Sequence, residues 1–163
     1  MRKISAVVGK WQNLQEFAAI QYDEAMDIEA LHHVSIPVSH LDRSKEFYRE
    51  ILGLREIPRP SFPFQGAWFQ AAGRQELHLI LQHTDVTYRE NKGIDPGDIH
   101  FAVRVKSYRA TLEFLKSKGY REDADATGLM LVRALPRPIT GYPQIYILDP
   151  DRHLIEINAE ALD

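Results

Sequence analysis

The second half of this 163-residue chain repeats the order of residue types found in the first half. Each half predicts a short apolar strand opened by histidine, then a helix with one apolar stripe, then a glycine that ends the helix. The matched positions are His33 and His100, Val38 and Val105, Phe47 and Phe114, and Gly53 and Gly119. An ordered set of matches is difficult to obtain by chance, so we infer an internal duplication.

Each repeat continues with further strand patterns, which predicts a βαβββ module. The fold class is therefore expected to be α+β, with two tandem modules that form one curved mixed sheet. Module one is predicted over about residues 30–84 and module two over about 98–160. Between them, residues 83–98 are polar and rich in glycine, aspartate and proline, as is typical of a linker. Strands are predicted at 31–38, 54–57, 66–71, 76–82, 99–105, 144–148 and 154–158, with Ser39 and Ser107 as helix caps.

Residues 1–28 differ from the two repeats. Apolar side chains recur there at steps of three and four residues, which favours a helix with one apolar face. These side chains are Trp11, Leu14, Phe17, Ala18 and Tyr22. We interpret this segment as an N-terminal helical extension used for packing or dimerisation, and residues 29–163 as the main domain.

Charge and hydropathy exclude several classes of function. The net charge is -3 and no cluster of Lys and Arg stands out, so neither a nucleic-acid surface nor a membrane surface is expected. No stretch approaches the roughly 20 apolar residues that span a bilayer. No export sequence is recognisable, so a cytoplasmic location is the default expectation. Cysteine is absent, so a metal site would need histidine and carboxylate ligands.

Four residues of metal-ligand type lie at corresponding ends of the two modules. His33 and His100 open the first strands, while His78 and Glu156 lie in the last strands. If a pseudo-twofold axis relates the modules, these side chains can converge on a metal-binding cavity. Taken singly, each is more often an ordinary strand residue than a ligand. Three imidazoles and one carboxylate suit one divalent metal such as zinc, nickel, iron or manganese.

Several stretches resemble the vicinal oxygen chelate superfamily, which includes glyoxalase I, fosfomycin resistance proteins, extradiol dioxygenases and bleomycin resistance proteins. They are Leu31-His32-His33-Val34-Ser35-Ile36-Pro37-Val38, Phe47-Tyr48, Leu52-Gly53-Leu54, Asp149-Pro150-Asp151 and Leu154-Ile155-Glu156. The resemblance covers about residues 30–159. It implies that His33, His100 and Glu156 are ligands and that His78 fills the fourth position, where glyoxalase I carries glutamate. Arg152 departs from the glycine common in the family turn.

The resemblance implies a metal-dependent enzyme of glyoxalase type, a lyase or isomerase. Its small substrate would bind the metal through adjacent oxygens, and Glu156 would be the catalytic base. Tyr146, Trp68 and Arg133 are expected near the substrate, although core packing or surface roles would also explain them. Two alternatives stay open, an Fe(II) extradiol-type dioxygenase and a metal-free small-molecule binding protein similar to bleomycin resistance proteins. By resemblance a homodimer is expected, with each site inside one chain or shared between two.

Overall fold

The computed structural model of the protein describes residues 27–82, 87 and 89–163. Residues 31–163 form one compact unit. The helix predicted in residues 1–28 lies outside the described residues, apart from its last two positions, which have no regular secondary structure. None of the helices found in the described ranges is long and apolar enough to cross a membrane.

Each half of the compact unit forms one βαβββ module with its own four-stranded mixed sheet. Module one consists of β1 His33–Val38, α1 Leu41–Glu50, β2 Arg55–Ile57, β3 Gly66–Ala72 and β4 Gln75–Leu81. Module two consists of β5 His100–Val105, α2 Tyr108–Ser117, β6 Arg133–Leu135, β7 Gln144–Leu148 and β8 Leu154–Ala159. The strand orders are β1-β4-β3-β2 and β5-β8-β7-β6. The α+β prediction with two such modules is confirmed, with two sheets in place of one continuous sheet.

The two helices begin differently. Ser107 caps α2 as predicted, because its Oγ accepts a hydrogen bond of 3.0 Å from the backbone N–H of Ala110. The cap predicted for α1 at Ser39 is wrong, since the N-cap residue is His40 and its side chain makes no capping bond. Ser39 instead donates to the Asp151 carboxylate.

The helix-facing sides of the two sheets contribute to one apolar core. Side chains alternate across a strand, so Ile145, Ile147, Ile155 and Ile157 point into this core. The intervening side chains of β7 and β8, including Tyr146 and Glu156, therefore point to the opposite face of the second sheet. The core thus determines which face of each sheet is left for a functional site.

Two buried carboxylates in the β7–β8 turn hold the modules together. Asp149 and Asp151 are 0% and 1% exposed. The hydroxyl of Tyr48 on α1 donates to Asp149 at 2.7 Å, while the backbone N–H of Ser39 donates to Asp151 at 3.0 Å. Burial and the neighbouring Asp149 charge raise the pKa of Tyr48 well above its ordinary value, so its hydroxyl stays a donor.

Replacing Tyr48 by Phe is expected to lower the free energy of unfolding by about 1–3 kcal/mol, because the buried Asp149 carboxylate loses a hydrogen bond. Urea unfolding followed by circular dichroism measures this change. Tyr108 provides a matched control, since its buried hydroxyl has no hydrogen-bond partner among the described residues. Tyr108→Phe should leave stability unchanged or slightly increased. Equal losses in both variants would contradict the proposed role of the Tyr48–Asp149 bond.

Candidate metal centre

Module two brings His100 and Glu156 together. The two residues lie on the paired parallel strands β5 and β8, where Ala102 is the direct partner of Glu156. His100 Nε2 lies 3.5 Å from Glu156 Oε2. The other ring nitrogen, Nδ1, lies 2.7 Å from the carbonyl oxygen of Asp98. A hydrogen bond from Nδ1–H to that carbonyl leaves the Nε2 lone pair directed at the site, as is usual for metal-binding histidines.

Glu156 is a buried carboxylate held in its ionised form. Glu156 is only 5% exposed to solvent. Tyr146 Oη donates to Oε2 at 2.8 Å, and Asn158 Nδ2 donates to Oε1 at 2.6 Å. Burial alone would raise the pKa of Glu156, but these hydrogen bonds, one from Gln144 and the nearby His100 lower it below the ordinary value. Burial and the bond to Glu156 raise the pKa of Tyr146, so its hydroxyl stays protonated.

Module one brings His33 and His78 together. Their rings stack with centroids 4.3 Å apart and an angle of 14° between planes. His78 is buried, whereas His33 is exposed. On the other side of His78 lies Trp68, with centroids 4.1 Å apart and an interplanar angle of 5°. His78 Nε2 also lies 2.7 Å from Glu76 Oε2, which orients the imidazole.

Strand register makes the two pairs equivalent. His33 is the partner of Glu76, and His78 lies two residues further along β4. His100 is the partner of Leu154, and Glu156 lies two residues further along β8. Trp68 pairs across from His78 just as Tyr146 pairs across from Glu156. The duplication thus extends from the order of elements to the exact placement of ligand-type side chains.

The four predicted ligands lie in two pairs, one on each sheet. Within residues 27–82, 87 and 89–163, no three His, Asp or Glu side chains are grouped so that they could hold a metal ion. The histidine-bearing strands β1 and β5 each occupy the edge of their sheet. A pair of ligands is too few for a stable site, which normally uses three or four protein ligands.

The donor atoms fit half a metal site in each module. Imidazole nitrogens and an ionised carboxylate are the donors that divalent transition metals prefer. Asn158 Oδ1 lies beside Glu156 and is buried with no hydrogen-bond partner in the described part of the chain. Such an orphaned oxygen costs free energy unless another group or a water satisfies it. The module-two pair therefore has an unused acceptor next to its carboxylate.

The remaining predicted site residues lie on the same faces as the ligand pairs. Trp68 and Tyr146 contact His78 and Glu156 directly. Arg133 on β6 pairs in register with Tyr146 and is exposed. Sequence analysis missed Glu76 and Asn158. Both could have been found from the strand period, because each lies two residues from a predicted ligand and therefore on the same face.

Comparison with known proteins agrees with this architecture. The family model described as the Glyoxalase/Bleomycin resistance protein/Dioxygenase superfamily matches residues 30–157. Glyoxylase I 4 of Arabidopsis thaliana is 29% identical over 140 residues, which cover 84% of this chain and 75% of that protein. Metallothiol transferase FosB of Staphylococcus epidermidis is 24% identical over 144 residues, covering 84% and 86%.

A solved structure shows the same fold. A variant of the fosfomycin resistance protein FosX from Listeria monocytogenes, complexed with Mn(II) and 1S,2S-dihydroxypropylphosphonic acid, aligns with a TM-score of 0.59. It is 20% identical, and the alignment covers 83% of this chain and 95% of FosX. Together with the family match over most of the chain, the duplicated βαβββ modules lead to one conclusion: this protein belongs to the Glyoxalase/Bleomycin resistance protein/Dioxygenase superfamily.

Proposed function

We propose that the protein is a metal-dependent enzyme of glyoxalase type, a lyase or isomerase whose small substrate binds through two adjacent oxygen atoms. The observation that carries this proposal is the buried, ionised Glu156 beside His100, at the position equivalent to His78. Similarity to Glyoxylase I 4 and to metallothiol transferase FosB supports metal-dependent chemistry on a small molecule.

One divalent metal is proposed to bind His33, His78, His100 and Glu156. Zinc, nickel, iron and manganese all suit three imidazoles and one carboxylate, and the FosX relative was crystallised with Mn(II). When bound, the metal would act as a Lewis acid that stabilises negative charge developing on the substrate oxygens. The residues of the chain must then position the substrate and move the proton.

The complete site is proposed to form between two chains of a homodimer. Within one described chain the ligands are separated into two pairs, and one histidine of each pair lies on an edge strand. If module one of one chain lies beside module two of its partner, His33 and His78 of the first chain would meet the equivalents of His100 and Glu156 in the second. A twofold dimer would form two such sites, because each chain contributes both kinds of pair.

Glu156 is the proposed base for removing a proton from a carbon next to a carbonyl group. Its ionised state at neutral pH and its two hydrogen-bond donors orient the carboxylate. Tyr146 stays protonated, so its hydroxyl can hold Glu156 or donate to a substrate oxygen. Trp68 and Arg133 are proposed to line the substrate pocket from the two sheets.

Metal removal provides the direct test of this function. Protein purified without chelators is expected to contain about one divalent metal per chain, and chelation should abolish turnover because the proposed chemistry needs the metal as a Lewis acid. The measurement combines elemental analysis with assays on thiol hemiacetals, catechols and acyl-CoA esters. Oxygen-dependent cleavage of catechols by iron-loaded protein would favour the dioxygenase alternative. Tight drug binding by metal-free protein would favour the binding-protein alternative.

A further inference from the structure

The connection between β2 and β3, residues 58–65, presents two phenylalanines to solvent in a stiffened loop. Phe62 and Phe64 are 41% and 37% exposed. Their rings stack at 5.2 Å, and the Arg59 guanidinium lies over both, at 4.7 and 5.0 Å. Arg59 also donates to the carbonyl oxygen of Phe64 at 2.9 Å. Residues 58, 60 and 63 are prolines, which restrict the backbone further.

These phenylalanines contact the stacked rings of the module-one ligand pair through Trp68. The ring centroid of Phe62 lies 6.0 Å from that of Trp68, and Trp68 stacks on His78. An aromatic row of five rings thus runs from the exposed loop to the proposed metal ligands. Its members are Phe64, Phe62, Trp68, His78 and His33.

The size of the exposed patch favours a small ligand over a protein partner. At their observed exposures the two phenylalanine side chains offer on the order of 150 Å² of apolar surface. A stable protein interface buries roughly 800 Å² on each partner, about five times as much. A single flat ring is close in size to the patch. Preorganised aromatic side chains also lose little conformational entropy on binding such a ring.

We propose that Phe62 and Phe64 bind an aromatic ring of the substrate, and so select aryl-substituted over alkyl-substituted compounds with two adjacent oxygens. This inference rests on the proposed function, because the adjacent oxygens must be held at the metal ligands. Arg59 acts as a positioning residue that fixes the two rings. Because Phe62 contacts Trp68 and Trp68 stacks on His78, a ring bound at Phe62 and Phe64 would lie close to the module-one ligand pair.

Mandelate and lactate form a matched pair of probes for this inference. Both are α-hydroxy acids that can chelate a divalent metal through adjacent oxygens, and they differ by phenyl in place of methyl. Titration calorimetry of the Mn²⁺-loaded protein is expected to show mandelate binding roughly five- to tenfold more tightly than lactate. In the Phe62→Ala/Phe64→Ala double variant the preference should fall below about twofold, with lactate affinity unchanged.

Two variants control for unspecific effects. Phe114 on α2 is exposed to a similar extent, at 40%, so Phe114→Ala should retain the preference. Phe62→Tyr keeps the ring and should also retain it. Equal binding of mandelate and lactate by the unmodified protein would overturn this inference and leave the proposed function intact. Binding of neither acid would reject the metal site and the inference together. Dissociation of a dimer by the double variant would assign the patch to a second copy of the chain instead.

Discussion

Replacing Glu156 by Gln is expected to weaken metal binding by more than about a hundredfold and to reduce kcat/KM by at least as much. The amide is neutral and a poor ligand, so the site loses its only ligand charge and its proposed base at once. Hydrogen bonding also changes, because the amide keeps one acceptor oxygen, so Tyr146 and Asn158 cannot both donate to it. Elemental analysis measures the loss of metal. Steady-state kinetics measures the loss of kcat/KM, on whichever of the thiol hemiacetals, catechols and acyl-CoA esters is turned over.

Replacing two other glutamates distinguishes the loss of a metal ligand from the general loss of a negative charge. Glu160 is exposed and lies just beyond β8, so Glu160→Gln should leave metal content and kinetics unchanged. Glu76→Gln should give an intermediate loss of about tenfold, because Glu76 orients the imidazole of His78 without being a proposed ligand. Unaltered metal content in Glu156→Gln would remove Glu156 from the ligand set.

Mixing two inactive variants should restore activity if the site is shared between chains. His33→Ala damages the module-one pair, and Glu156→Gln damages the module-two pair. In a mixed dimer, one site collects both defects while the other combines two intact halves. Random mixing makes half of all dimers mixed, so about one quarter of the sites in the unsorted mixture, and about one half of those in purified mixed dimers, should regain metal and activity. Co-expression with two affinity tags, followed by metal analysis and assay of the mixed dimers, measures this recovery.

A second mixture is the matched control. His33→Ala and His78→Ala both damage module one, so every site in their mixed dimer contains one defect. No recovery is expected from that mixture. If each site were formed within one chain, the first mixture would also stay inactive. Absence of recovery with His33→Ala and Glu156→Gln would therefore contradict the shared site.

Local sequence pattern was sufficient for most of the architecture. Both helices and seven of the eight described strands follow from the spacing of apolar residues, whereas β6 was not predicted. The helix-ending glycines predicted at Gly53 and Gly119 adopt φ values of 66° and 96°. The helix cap predicted at Ser39 was wrong, because its hydroxyl can either cap α1 or form a hydrogen bond with another side chain. Asp151, more than a hundred residues away in the chain, provides the competing partner. Such a choice depends on a long-range contact that no local pattern contains.

The sequence by itself determined that two related modules exist and that each carries ligand-type residues at the same positions. This was possible because strand period and repeat spacing are local properties of the chain. Only the tertiary structure decided which side chains meet. Parallel pairing of β1 with β4 joins His33 to His78, and pairing of β5 with β8 joins His100 to Glu156. Packing of both sheets on one core then directs these pairs away from the core, onto the opposite faces of the two sheets.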